Sequence, residues 1–183
     1  FDRINEADFL PAFNTAIENH AAEIEAIASD PDSPTFENTI LALETSGSDL
    51  GRVSRVFFNL SSSASNDEIR EIEREMTPRL AAHSASITLN PALFARIDTL
   101  YNDRATLGLT AQQMRLLETT REDFVRAGAM LEGEDRERFA DIRSSLAGLY
   151  TQFAQNELRD RESWSLALDA DALDDLPPDM VSA

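Results

Sequence analysis

Apolar residues recur at steps of three and four along most of this chain, the spacing that lines one face of an α-helix. The longest run predicts a helix over Glu134–Trp164, with Phe139, Ile142, Leu146, Leu149 and Phe153 on one stripe. Gly133 ends whatever precedes it, and Glu134 and Asp135 place negative charge in the first turn, where a helix N-terminus favours it. The stripe then meets an amide at Asn156, which is expected to bond the backbone of a neighbouring segment. After Trp164 the pattern changes to the period-two SLALD, so the helix ends there and Trp164 is expected to anchor that segment. So long a stripe needs cover. This helix is therefore expected to be the central packing element, with Phe153 buried and the other helices as its neighbours.

Those neighbours can be read in order. Residues 5–29 open on Asn5 as an N-cap, with Pro11 tolerable in a first turn. Phe13, Ile17, His20, Ile24 and Ile27 form the stripe. After the turn-rich loop SDPDSP, Thr35 caps a second helix whose stripe runs from Phe36 to Leu60, about seven turns at 3.6 residues each. Gly47 falls inside that stripe, which suits close approach of another helix. Asn66 or Ser65 caps a third helix with Ile69, Ile72, Met76, Leu80, His83 and Ile87 on its face, and Pro78 predicts a kink. Asn90-Pro91 opens a fourth helix carried by Leu93, Ile97, Leu100 and Leu107 to Gly108. Thr110 and Gln113 have capping-box spacing and open a fifth, with Met114, Leu117, Phe124, Gly128 and Leu131 on one face and Gly133 as its stop. Acid-first pairs at i, i+4 (Glu75–Arg79, Glu122–Arg126, Glu134–Arg138, Glu157–Arg161) support exposed helical faces.

The pattern thus predicts an all-α fold, an elongated multi-helix bundle of about six long helices, with a short strand-like and turn segment at the C-terminus. Helix and loop lengths are too unequal for a solenoid. Residues 1–164 read as one helical domain and 165–183 as the start of a connection to something further. The chain begins at Phe1 without Met and stops in PPDMVSA, which reads as a piece of something longer.

Composition removes several function classes. The net charge of -18 opposes nucleic acid, whose binding is driven by basic side chains on phosphates, and opposes anionic membrane surfaces. All 16 basic residues are Arg, a bias with no functional account. There is no Cys, hence no disulfide framework and no thiolate nucleophile or metal ligand. No apolar run approaches the roughly 18 residues of a membrane span, and no basic-then-apolar leader opens the chain.

The chemistry-bearing residues are few. His20 and His83 both lie on apolar stripes and read as packed, hydrogen-bonded histidines. A zinc site of the H-E-x-x-H kind needs two His one turn apart on a helix, and the two here are not so spaced. No G-x-S-x-G, phosphate loop or dinucleotide turn is present. No catalytic, cofactor-binding or metal-ligating residue is therefore assigned to this chain.

Four stretches, taken together, resemble the N-terminal part of the thimet-oligopeptidase-type zinc peptidases, in particular the bacterial peptidyl-dipeptidase and oligopeptidase A branch. They are PTFENTILALETSG, LGRVSRVFFNL, the IEREMTPRLAAHSASITLNPALFARIDTLY run, and QQMRLLETTREDFVRAGAMLEGEDRERFADIRSSLAGLYTQFAQN. Their order and spacing match over nearly the whole chain. The resemblance implies a helical enzyme with a deep channel between two halves, open to short peptides and closed to folded proteins. It also implies one Zn(II), held by two His of an H-E-x-x-H helix and a Glu further on, with the motif Glu activating water. That motif has no copy in this sequence, so none of its residues can be carried over.

On this reading the chain is a non-catalytic channel wall. Its partners are the catalytic half of the same polypeptide and short peptide substrates, with no nucleic acid and no membrane, in the cytoplasm or, alternatively, the periplasm. The fifth and sixth helices and the tail (Leu158, Leu166, Leu168, Leu176, Met180, Val181) are expected to show an apolar surface, bare or covered by a second copy. Two other readings stay open at this point. One is a free-standing acidic helical interaction module; the other is a small-molecule binder using His20, His83 and Asn156.

Overall fold

The computed structural model describes residues 4–163 and Ser165. Among the described residues the fold is all-α: seven α-helices, six of them long, and no strand. The predicted strand-like segment, Trp164 and the tail residues Leu166, Leu168, Leu176, Met180 and Val181 lie outside the described residues, as does the side chain of Leu158. Among the described residues no helix is long and apolar enough to cross a membrane. The chain divides into two compact units, Phe1–Leu131 and Glu132–Ala183.

The first unit begins with a 3-10 turn, Glu6–Asp8, closed by the Asn5 N–H donating to the Asp8 carboxylate at 2.9 Å. Helix α1, Phe9–Ala28, comes next with Pro11 in its first turn, where a missing N–H costs nothing. The loop then enters a π-helical turn, Phe36–Leu41. Thr35 caps it reciprocally: the Asn38 N–H donates to Thr35 Oγ1 at 3.0 Å and the Thr35 N–H to Asn38 Oδ1 at 2.7 Å. Helix α2, Ala42–Thr45, is a single turn.

Here the structure corrects the expected seven-turn helix. Gly47 takes φ 65°, a left-handed conformation that ends α2 and opens α3, Ser48–Ser63. A glycine on a 3.6-residue stripe can be an interior contact or a break, and this one is a break. The close approach expected there is real all the same: a Cβ at Gly47 would lie 2.7–2.9 Å from the His20 ring.

Helix α4, Asp67–Thr88, is capped by Asn66, whose side chain accepts the Ile69 N–H at 2.9 Å, and it runs on through Pro78. Helix α5, Pro91–Asp103, has Asn90 Oδ1 accepting from Ala92 and Leu93. It stops one turn short of the expected Gly108. Helix α6, Ala111–Ala127, opens on the Thr110–Gln113 capping box, with bonds of 2.9 and 3.3 Å. It ends at Gly128 rather than at Gly133. With φ 98° at Gly128, the Ala129 N–H reaches the Phe124 carbonyl and the Gly128 N–H that of Val125, the paired bonds of a Schellman close.

Two apolar cores fill this unit. One gathers Phe9 and Phe13 of α1, Phe57 of α3, and Ile69, Ile72 and Met76 of α4. The other gathers Ile24 and Ile27 of α1, Phe36 and Ile40 of the π-turn, Leu93, Ile97 and Leu100 of α5, and Leu117 and Phe124 of α6. Helix α1 runs through both, so it is the element around which the unit is organised.

The first unit is thus organised around α1, not around the last long helix. Helix α7, Gly133–Ser163, forms at its predicted place in the second unit. Its stripe residues Ile142, Leu146, Leu149 and Phe153 are exposed, Phe153 by 71%. Among the described residues the second unit contains this one helix, and one helix cannot bury its own stripe. Of the predicted i, i+4 pairs, Glu75–Arg79, Glu122–Arg126 and Glu157–Arg161 form at 3.0, 3.2 and 2.9 Å.

Candidate functional site

The polar interior of the first unit is concentrated at two places. The first joins residues that the sequence kept far apart. His20, on α1, and His83, on α4, are 63 positions apart, yet His83 Nε2 and His20 Nδ1 lie 3.0 Å from each other. The rings meet edge to face at 4.9 Å between centroids. The other nitrogen of His20, Nε2, lies 3.2 Å from Ser46 Oγ, and that hydroxyl donates to the Leu43 carbonyl at 2.7 Å. One turn along α1, Glu23 accepts the Gly47 N–H at 2.7 Å.

The sequence thus placed both histidines correctly as packed and satisfied, but did not show that they satisfy each other. Burial pushes His20 below the ordinary imidazole value; the His83 ring pushes the same way and Glu23 opposes. Burial likewise lowers His83.

The second place was missed by the sequence reading. Arg96 of α5 is buried and threads under the loop that joins α1 to the π-turn. Its Nη1 donates to the carbonyls of Asp30 and Asp32 at 2.7 and 3.0 Å, its Nε to Thr39 Oγ1 at 3.3 Å, and its Nη2 to Asp30 Oδ2 at 3.4 Å. Burial of a guanidinium is tolerable when most of its donors are occupied, and here they hold a proline-rich loop in one path. A signal was available: Arg96 sits between Leu93 and Leu100 on the apolar stripe, a position a solvated Arg would not take. Nearby, Arg121 of α6 donates to Asp98 at 2.7 Å. Arg104 and Arg121 each lie over the Tyr101 ring, at 4.0 and 4.2 Å. The Arg121 contacts fasten α5 to α6.

Asn156 is exposed on α7, and the strand-like segment that follows the helix, a candidate partner for its amide, lies outside the described residues.

This arrangement does not fit a zinc centre. The two histidine nitrogens are aimed at each other along a hydrogen bond rather than converging on a point between them. Among the described residues no three His, Cys, Asp or Glu side chains are grouped so as to hold a metal ion. What the geometry does is mechanical: it ties helices and a loop together.

No family model matches the chain. Individual relatives do. Dipeptidyl carboxypeptidase of Salmonella typhimurium is 41% identical over 183 residues, covering all of this chain and 27% of that protein. Dipeptidyl carboxypeptidase of Escherichia coli is 39% identical over 168 residues, 92% of this chain and 25% of that protein. Oligopeptidase A of Haemophilus influenzae is 26% identical over 184 residues, again the whole chain and 27% of the relative. The chain spans about a quarter of the length of these curated relatives. It is homologous over its full length to dipeptidyl carboxypeptidase and oligopeptidase A, the branch that its sequence motifs resemble.

Proposed function

We propose that this chain is the non-catalytic, N-terminal helical wall of a cytoplasmic zinc-dependent oligopeptidase that cleaves short peptides inside a closed channel. The observation that carries the reading is the 41% identity to a dipeptidyl carboxypeptidase over every residue of this chain, which is only 27% of that protein. The whole chain has two histidines, His20 and His83, so an H-E-x-x-H zinc helix belongs to the part of the polypeptide that this chain does not match. Residues 1–164 form the wall, and 165–183 lead toward the catalytic half. In that reading the bare α7 stripe is covered by the remainder of the polypeptide, and in the 183-residue chain alone a second copy takes its place.

The test compares the longer polypeptide with the 183-residue chain. The longer protein should release dipeptides from the C-terminus of a quenched peptide substrate, hold one zinc per chain after dialysis, and lose activity to a chelator. The 183-residue chain should do none of this. Stoichiometric zinc in the short chain, or turnover there that is abolished by changing His20 or His83, overturns the reading. The same exposed stripe also favours a free-standing acidic interaction module. A longer polypeptide without peptidase activity, in which α7 stays exposed, would favour that module.

A further inference from the structure

Three segments of the first unit pass from one apolar core to the other, and each crosses on a polar or turn residue. Helix α1 leaves Phe9 and Phe13 and reaches Ile24 and Ile27 across His20. The chain leaves Ile40 and Leu43 and reaches Leu50, Val53 and Phe57 across Ser46 and Gly47. Helix α4 runs from Met76 and Leu80, packed in the first core, to Ile87, packed on the second, across His83. The three crossings are joined by one run of hydrogen bonds, from His83 through His20 to Ser46 and the Leu43 carbonyl.

The far end of that run fixes the direction of every proton in it. Ser46 Oγ gives its only hydrogen to the Leu43 carbonyl at 2.7 Å, so toward His20 Nε2 it can only accept. His20 therefore carries its proton on Nε2 and presents Nδ1 as a lone pair. That lone pair takes the Nε2–H of His83, at 3.0 Å. A single proton added to the pair leaves the bond in place, because with His20 protonated on Nδ1 a neutral His83 can carry its own proton on Nδ1 and accept through Nε2. With both rings protonated, two N–H groups face each other across 3.0 Å and the bond ends. The joint thus responds to the second proton.

The groups facing His20 oppose one another. Glu23, from its own helix, favours the imidazolium, whereas His83, from α4, and burial disfavour it. The α2–α3 turn contributes the Ser46 hydroxyl and the Gly47 backbone, whose N–H already engages Glu23.

We propose that this hydrogen-bond run is a proton-sensitive joint, which ties α4 to α1 and the α2–α3 turn at the seam between the two cores while at least one of His20 and His83 is neutral, and releases α4 when both are protonated.

The experiment is a pH titration of the full chain by long-range ¹H–¹⁵N correlation of the imidazoles, with backbone amides followed in parallel. At neutral pH His20 should show the Nε2–H tautomer. As the pH falls, the second of the two imidazole protonations should move the amides around His83 and Gly47 at the same midpoint. His83→Leu, which removes the donor, should raise the His20 midpoint toward that of a free imidazole. His83→Gln, whose amide can donate to the neutral ring or accept from the imidazolium, should keep α4 tied, so its α4 amides should not follow the His20 midpoint. An Nδ1–H tautomer at neutral pH overturns the proposal. So does movement of the α4 amides at the His20 midpoint in the Gln variant, and so does protonation of both histidines that leaves the α4 amides of the unaltered chain unmoved. If the Leu variant does not fold, the tautomer and the coupled α4 response in the unaltered chain still decide the matter.

Discussion

Phe57→Ala and Phe153→Ala remove the same atoms from two helices and should differ several-fold in cost. Phe57 has 0% of its surface exposed. Its ring meets those of Phe9, Phe13 and Phe58 edge-on, at centroid separations of 5.1, 5.3 and 5.3 Å. Truncating a buried Phe costs about 3–5 kcal/mol, and each aromatic pair adds about 0.5–1.5 kcal/mol beyond its buried area. With three pairs lost at once, the upper end, about 4–5 kcal/mol, is expected. That is a large share of the roughly 5–15 kcal/mol stability of a folded domain. Phe153 is 71% exposed, and its truncation should stay within about 0.5 kcal/mol, as for other surface substitutions. Urea unfolding, followed through amide signals of α1 and α3 for Phe57 and of α7 for Phe153, reads the two losses separately. Equal midpoint shifts would refute the assignment of the core to α1, α3 and α4. A loss of 3–5 kcal/mol at Phe153 would show that the α7 stripe is packed after all.

Three further outcomes are expected. Gly47→Ala should destabilise by at least about 1–2 kcal/mol, the cost of a left-handed conformation for an L-residue, because its φ is 65° and the new Cβ would meet the His20 ring; urea melts showing no loss would refute this. Arg96→Ala should cost about 1–3 kcal/mol through unpaired buried partners and raise hydrogen exchange in residues 29–35, while Arg79→Ala on the exposed face of α4 should cost under 1 kcal/mol. Stability should fall on acidification through the imidazole range: His20 and His83 are both held below 6.5 in the fold, so below that pH the unfolded chain binds more protons. Their contribution is fully present above 6.5 and lost as pH drops toward the folded midpoints. Thermal melts of the unaltered chain and a His20→Gln, His83→Gln double variant should diverge in that window, and parallel curves would refute the linkage.

Helix starts were legible because their chemistry is local. Thr35, Asn66, Asn90-Pro91 and Thr110–Gln113 each satisfy donors within three residues of themselves, so nearby sequence contains the whole interaction. Helix breaks were less legible. Gly47 and Gly128 both lie on apolar stripes, and whether such a glycine turns left-handed depends on the neighbours that the next helix packs against. Long-range polar pairing was not legible at all. The stripe positions of His20, His83 and Arg96 announce burial, but a one-dimensional pattern does not carry the partner, 63 residues away for the histidines and 66 for the Arg96–Asp30 contact.

The α7 stripe shows the limit of periodicity from the other side. Spacing of three and four states that a face has to be covered; it does not state by what. The first unit covers its own faces because helices α1, α3 and α4 bring three stripes to one core, and α1, α5 and α6 bring three to the other. The second unit offers, among the described residues, a single stripe that includes Leu146, Leu149 and Phe153. An amphipathic helix gains little stability from propensity alone, so 31 residues of helix call for an apolar surface against their stripe. Under the proposed function that surface belongs to the rest of the polypeptide, since this chain matches only 27% of a dipeptidyl carboxypeptidase. The demand for cover is written in these residues, whereas the identity of the cover is not.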